Sequence, residues 1–198
     1  MDQHRNDSHQ TGPYFSHYSP AADQPMAVVV GGEANATGYN TTASGVIDNV
    51  VEKLPGATIA EGEVTFDAVG QSAGHGGATA HTDAFVDVTG ADFLFEVEIH
   101  AAGHGLGGAW SETEIEYVAI DIPNWRPPGG HTITDVVMLN LNHAGPPAND
   151  MGALSGNVAT VLANADAFGQ NTSTSTLTQA HTVEHHQSFV SGMAFSVA

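Results

Sequence analysis

The sequence predicts an all-β protein: an antiparallel β-sandwich or jelly-roll-like core, with an extended N-terminal arm and C-terminal strands. Three observations predict it. Apolar and polar residues alternate with period two through much of residues 57–144, the spacing of a strand with one buried face. Breaks such as Pro127-Pro128-Gly129-Gly130 and Gly145-Pro146-Pro147 punctuate these runs. Helical spacing is scarce, which favours sheet packed on sheet.

Residues 1–25 read as a polar arm with three prolines, several histidines and three aromatics, but no core periodicity. Residues 26–56 form a first segment, with a short strand over Met26–Val30. In Val46 to Leu54, apolar residues fall at 46, 47, 50, 51 and 54, and Pro55-Gly56 follows. That spacing fits a short helix or a strand, and the strand-rich surroundings favour the strand.

Residues 57–148 read as the antiparallel core, five strands long. Runs over Thr58–Val69 and Ala78–Val88 come first. In the run from Phe93 to His100, Phe93, Phe95, Val97 and Ile99 share one face, and Glu96, Glu98 and His100 share the other. Glu112, Glu114 and Glu116 alternate with Thr113, Ile115 and Tyr117, yet Val118, Ile120 and Ile122 continue the parity of the glutamates. This predicts a bulge, or a strand that leaves one sheet for another. Ile133–Leu141 is the fifth strand. Residues 149–198 form a C-terminal β segment. There Val158–Phe168 alternates small apolar with mixed residues, with an Ala-rich helix as the alternative. The uncharged end, Ser188–Ala198, reads as a last strand, with an uncleaved secretion signal as the alternative.

A thirteen-residue pattern occurs twice, at Ala34–Val46 and Ala165–Leu177, with six identical positions and no gap. It reads A-[ND]-A-x-G-x-N-T-[TS]-x-S-x-[VL] and marks Asn35, Gly38, Asn40, Asp166, Gly169 and Asn171 as candidate assembly residues. The pattern resembles the small-residue strand repeats in the head regions of bacterial surface adhesins. The resemblance covers only these two windows and transfers no residue roles.

Composition narrows the function. Three basic residues face 22 acidic ones, a formal charge of −19, which argues against phosphate-rich nucleic acid and anionic membrane surfaces as partners. No run approaches the ~18 apolar residues of a membrane span. Without cysteine there are no disulfides, thiolate metal sites or thiol nucleophiles. No G-x-S-x-G elbow and no phosphate-cradling loop is present, so the chain is not read as an enzyme.

Binding candidates remain. In a meander, the loops carrying His75, His104 and His143 lie at one end of the sheet, where three imidazoles suit Zn²⁺ or Cu²⁺. Glu96, Glu98, Glu112, Glu114 and Glu116 form a possible carboxylate ladder for Ca²⁺. His181, Glu184, His185 and His186 make a second cluster, able to act as a pH switch. Trp110, Tyr117 and Trp125 are candidates for a sugar-stacking platform, with Arg126 beside Trp125. The overall expectation is a bacterial structural protein, extracellular or at the cell surface. It assembles with itself, as a filament or surface-layer subunit, through its terminal β-segments. The alternative is a β-sandwich binding module for Ca²⁺, a transition metal or carbohydrate.

Overall fold

The computed structural model describes residues 24–73, 77–105, 107–125, 132–143 and 156–198. The polar arm before residue 24 lies outside the described residues. Ten strands follow in chain order: β1 (Ala27–Thr37), β2 (Asn40–Leu54), β3 (Ala57–Gln71), β4 (Thr79–Thr89), β5 (Phe93–Gly105), β6 (Gly108–Asp121), β7 (Ile133–His143), β8 (Asn157–Phe168), β9 (Ser173–Val183) and β10 (Gln187–Val197). They build two packed sheets, so the chain is an all-β sandwich. The first sheet has the order β4-β1-β10-β9, and the second β7-β5-β6-β3-β2-β8.

The chain passes repeatedly between layers. Segment 26–56 supplies one strand to each sheet, 57–148 supplies β4 to the four-stranded sheet and β3, β5, β6 and β7 to the other, and 149–198 supplies β9 and β10 to the first and β8 to the second. The expected five-strand meander does not form. β4 pairs with β1 in the four-stranded sheet, while β7 and β8 join the six-stranded sheet parallel to β5 and β2. Val46 to Leu54 lies within β2, where partners on both sides (β3 and β8) satisfy its backbone as a strand. Val158–Phe168 is also a strand.

The predicted bulge in β6 is absent. Its register with β3 is unbroken from Thr58↔Asp121 to Gln71↔Gly108. Thr113, Ile115, Tyr117 and Ala119 point inward and are buried, while Val118 and Ile120 stay on the outer face with the glutamates. The apparent face switch is an outer face that changes from acidic to apolar along the strand.

The core is built from small side chains: alanines of β1, β2, β3 and β10, with Val28, Val30, Ile47, Val51, Val64 and Val190. Phe66 is the largest fully buried side chain. It fits because its ring lies against glycines. A Cβ on Gly45 would meet it at 2.5 Å and one on Gly32 at 2.7 Å. Polar pairs tie the layers together. Thr41 Oγ1 and Ser188 Oγ lie 2.7 Å apart, Tyr117 donates to Asn49 Oδ1 at 2.5 Å, and Asn49 donates to Ser196 Oγ at 3.2 Å. Burying these groups in mutual bonds avoids their desolvation cost.

The sheets differ in width, and that positions everything below. β4 packs over β6 and β3, β1 over β3 and β2, β10 over β2 and β8, and β9 over β8. The four-stranded sheet therefore ends before β5 and β7, which project as a ledge.

Candidate functional site

The two copies of the repeat build the same local device. Each is an arch carrying the chain from one sheet to the other. Ala34-Asn35-Ala36-Thr37 ends β1, and Asn40 starts β2 in the opposite sheet. Likewise Ala165 to Phe168 ends β8, and β9 starts at Ser173. The glycines turn the chain at φ 152° (Gly38) and 141° (Gly169), and Asn171 adopts φ 61°. These are conformations that favour Gly and Asn. Ala34 and Ala36 are buried, and Ala165 packs against the core.

The arches lie at opposite ends of the sandwich, because β8 runs parallel to β2 with Phe168 beside Glu52. Neither copy's strand partners fall within the other. The marked residues make contacts inside the chain: Gln187 Nε2 donates to Asn35 Oδ1 at 2.9 Å, Gly156 N to Asn40 Oδ1 at 3.2 Å, and Asn164 Nδ2 to Asp166 Oδ2 at 3.0 Å.

The acidic ladder exists, with different members. Glu112, Glu114 and Glu116 share the outer face of the six-stranded sheet with Asp67, Thr65 and Glu63 of β3 beside them. Asp48, Glu63 and Glu116 lie in one direct cross-strand row. Glu96 and Glu98 oppose Tyr117 and Ile115, so they face the other side and do not meet Glu114. Burial pushes the carboxyls of Asp67, Glu112 and Glu114 up. Neighbouring carboxylates add to this at Glu112 and Glu114, while a bond from Ser44 partly offsets it at Asp67. A shallow groove of about 530 Å³ on this face is lined by Asp48, Glu61, Glu63 and Glu116, with Phe95, Val97 and Val137 on its β5–β7 side.

Of the three proposed metal histidines, His75 lies outside the described residues. β5 and β7 run parallel, and Gly103 pairs with His143, so the ends bearing His104 and His143 are adjacent; the side chain of His143 is outside the described residues. Among the described residues, no group of three His, Asp or Glu side chains is arranged to hold a metal ion. The second histidine cluster is split: His181 is on β9, while His185 and His186 form the β9–β10 turn. His185, at φ 57°, stacks on Tyr39 with ring centres 4.3 Å apart.

The proposed aromatic platform is dispersed. Tyr117 is inside the sandwich, where burial pushes its hydroxyl far up, with Asp48 and Glu61 adding to the shift. Trp110 lies on the outer face near the far end of β6. Trp125 instead stacks on Phe93 at 4.8 Å, and Phe93 lies parallel to Phe95 at 6.5 Å. Arg126 is outside the described residues. The signal for this strip was the same-face pair Phe93 and Phe95.

One chain of polar groups was not anticipated. His100 Nε2 lies 2.5 Å from Glu98 Oε1, and His100 Nδ1 lies 3.1 Å from Thr113 Oγ1. Thr113 then meets Thr82, and Thr82 meets Ser111, each at 2.8 Å. The order carboxylate, imidazole, hydroxyl is that of a nucleophile relay. Thr113 is 1% exposed, however, so no substrate reaches its hydroxyl. The chain ties β4 to β5 and β6 across the sandwich.

The feature with the plainest functional geometry is β9. All eleven residues of this edge strand are exposed. It contains no Asp, Glu, Lys, Arg or Pro, and its register with β10 has no bulge. The other three edge strands each carry aspartate: Asp83 and Asp87 on β4, Asp135 on β7, and Asp166 on β8. Charge, proline and bulges are what keep a free edge from pairing, and β9 has none of them. An apolar row crosses the outer face of the same sheet to reach it. Phe85 of β4, Gly31 of β1, Met193 of β10 and Leu177 of β9 are direct register partners. Leu177, 68% exposed, ends the row. A cavity of about 330 Å³ lies along it. No protein-family model, no curated protein and no solved structure matches this chain.

Proposed function

We propose that this protein is a structural subunit that joins copies of itself by β-strand pairing through its C-terminal segment. The observation that carries the reading is β9, an eleven-residue edge strand, exposed throughout and lacking charge, proline or bulge. Such an edge offers unpaired backbone donors and acceptors to another strand, and alternating side chains set the register. The exposed row ending at Leu177 adds apolar surface of the kind that interaction sites present.

Sizing chromatography with light scattering tests the reading. The full chain is expected above its monomer mass of 20.4 kDa. Replacing Leu177→Lys together with Gln179→Lys is expected to return it to a monomer that still unfolds cooperatively, because both side chains are exposed. A full chain that is monomeric across the micromolar range refutes the proposal.

A further inference from the structure

We infer that two copies of this chain meet β9 to β9 about a two-fold axis, with Leu177 facing its own counterpart. This rests on the reading that copies join through β9, and adds the partner edge, the symmetry and the register.

The partner edge follows from the unequal widths of the layers. The head-to-tail alternative would pair β9 of one copy with β4 of the next. Strand directions permit it, because the four-stranded sheet alternates throughout and the new pair would be antiparallel. Layer stacking forbids it. β4 lies over β6 and β3, so a strand added at its free side lies above β5. A neighbour's β9 brings its own β8 beneath it. That β8 would occupy the level already filled by the β5–β7 ledge. With strands spaced ~4.8 Å within a sheet and sheets ~10 Å apart, the two cannot share the space.

On the β9 side there is no such obstacle among the described residues. β9 packs over β8, which is itself the last strand of the six-stranded sheet. A two-fold axis normal to the sheet makes β9 and its copy antiparallel and keeps the inner faces on the same side. The four-stranded sheet then continues as eight strands. The contact is isologous and closes as a dimer.

The register follows from the apolar row. If Leu177 opposes Leu177 of the second copy, the row from Phe85 through Met193 continues without interruption into the same row of the second copy. On the inner face, Thr176 then opposes Thr178, a cross-strand pair of the favourable hydroxyl type. On the outer face Ser175 opposes Gln179. No charged pair arises, since β9 has no formal charge.

The chain has no cysteine, so single engineered thiols report pairing without background. A disulfide needs Cα atoms roughly 4.4–6.8 Å apart. Under mild oxidation Leu177→Cys is expected to give a covalent dimer. Ser175→Cys places its two thiols four residues apart along the strands, and at least about tenfold less dimer is expected. Combining Ser175→Cys with Gln179→Cys is expected to restore the dimer. Phe85→Cys with Leu177→Cys separates the two arrangements: a dimer supports the inference, and a ladder of higher polymers means head-to-tail pairing and overturns it. If light scattering shows oligomers but Leu177→Cys gives no covalent dimer, this pairing is wrong and the assembly reading stands. If the unmodified chain is monomeric, the assembly reading itself fails.

Discussion

Phe66 and its glycines show how tightly this sandwich is fitted. An alanine at residue 45 places a methyl group 2.5 Å from the ring, below van der Waals contact. Overpacking of this sort costs about 1–3 kcal/mol. We therefore expect Gly45→Ala to lower the unfolding free energy measured in urea by that amount. Because the clash is with one ring, Gly45→Ala combined with Phe66→Leu should be less destabilised than the sum of the single changes. Additive losses would show that the glycine acts through backbone freedom instead. Tyr117→Phe probes the polar side of the core. It leaves the fully buried Asn49 without the donor to its side-chain oxygen. A loss of about 1–3 kcal/mol is expected, because an unsatisfied buried acceptor bears its full desolvation cost. A change within 0.5 kcal/mol, roughly the scatter of neutral surface changes, contradicts this account.

At the scale of elements, the outer face of β2, β3 and β6 accumulates like charge. On that face Asp67, Glu112 and Glu114 have carboxyls pushed above their ordinary values, and so do Glu96 and Asp121 on the opposite side of the sheet, with burial as the largest cause in each. The sign is fixed by linkage. A carboxyl whose folded pKa is raised binds its proton more tightly in the native state, so stability rises as pH falls through the folded value. The gain is complete below the unfolded values, 3.8 for Asp and 4.5 for Glu. Melting temperature is therefore expected to rise on acidification from pH 7 towards about 4.5. Added salt at pH 7 should raise it as well, by screening the carboxylate rows. A melting temperature that falls steadily over that pH range contradicts this picture. Parity was readable in β5: Phe93, Phe95, Val97 and Ile99 do share a face. Which face they take was not readable. They point outward, and Glu96, Glu98 and His100 point toward the side of the second layer. The ledge explains the inversion. Beyond the edge of the four-stranded sheet no strand among the described residues packs over β5, so an apolar side chain there gains little from facing inward.

The whole molecule is closed by its last strand. β10 lies between β1 and β9 and contributes Val190 and Ala194 to the core. A dispensable C-terminal signal would tolerate removal. Ending the chain at residue 172 is instead expected to abolish cooperative unfolding in urea, because it leaves β4 and β1 as a two-stranded layer. A truncated chain that still melts cooperatively would contradict the central position of β10. Pairing β1 with β10 joins positions such as Val30 and Ala194. So long a loop carries a large closure entropy, and refolding in milliseconds to seconds is expected, as for other non-local β topologies.

The sequence by itself determined that the chain is all-β, because period-two alternation and Gly/Pro breaks are local properties of each strand. It also exposed the repeated thirteen-residue pattern, whereas the arch that each copy forms between the sheets is visible only in the structure. Only the tertiary structure decided that the repeats sit at opposite ends, that Glu96 and Glu98 part from Glu114, that β6 runs without a bulge, and that β9 is the unguarded edge. Alternation states which side chains share a face. It cannot state which face another layer will cover, or which strand is left last in its sheet, because those follow from pairing between residues far apart in the chain.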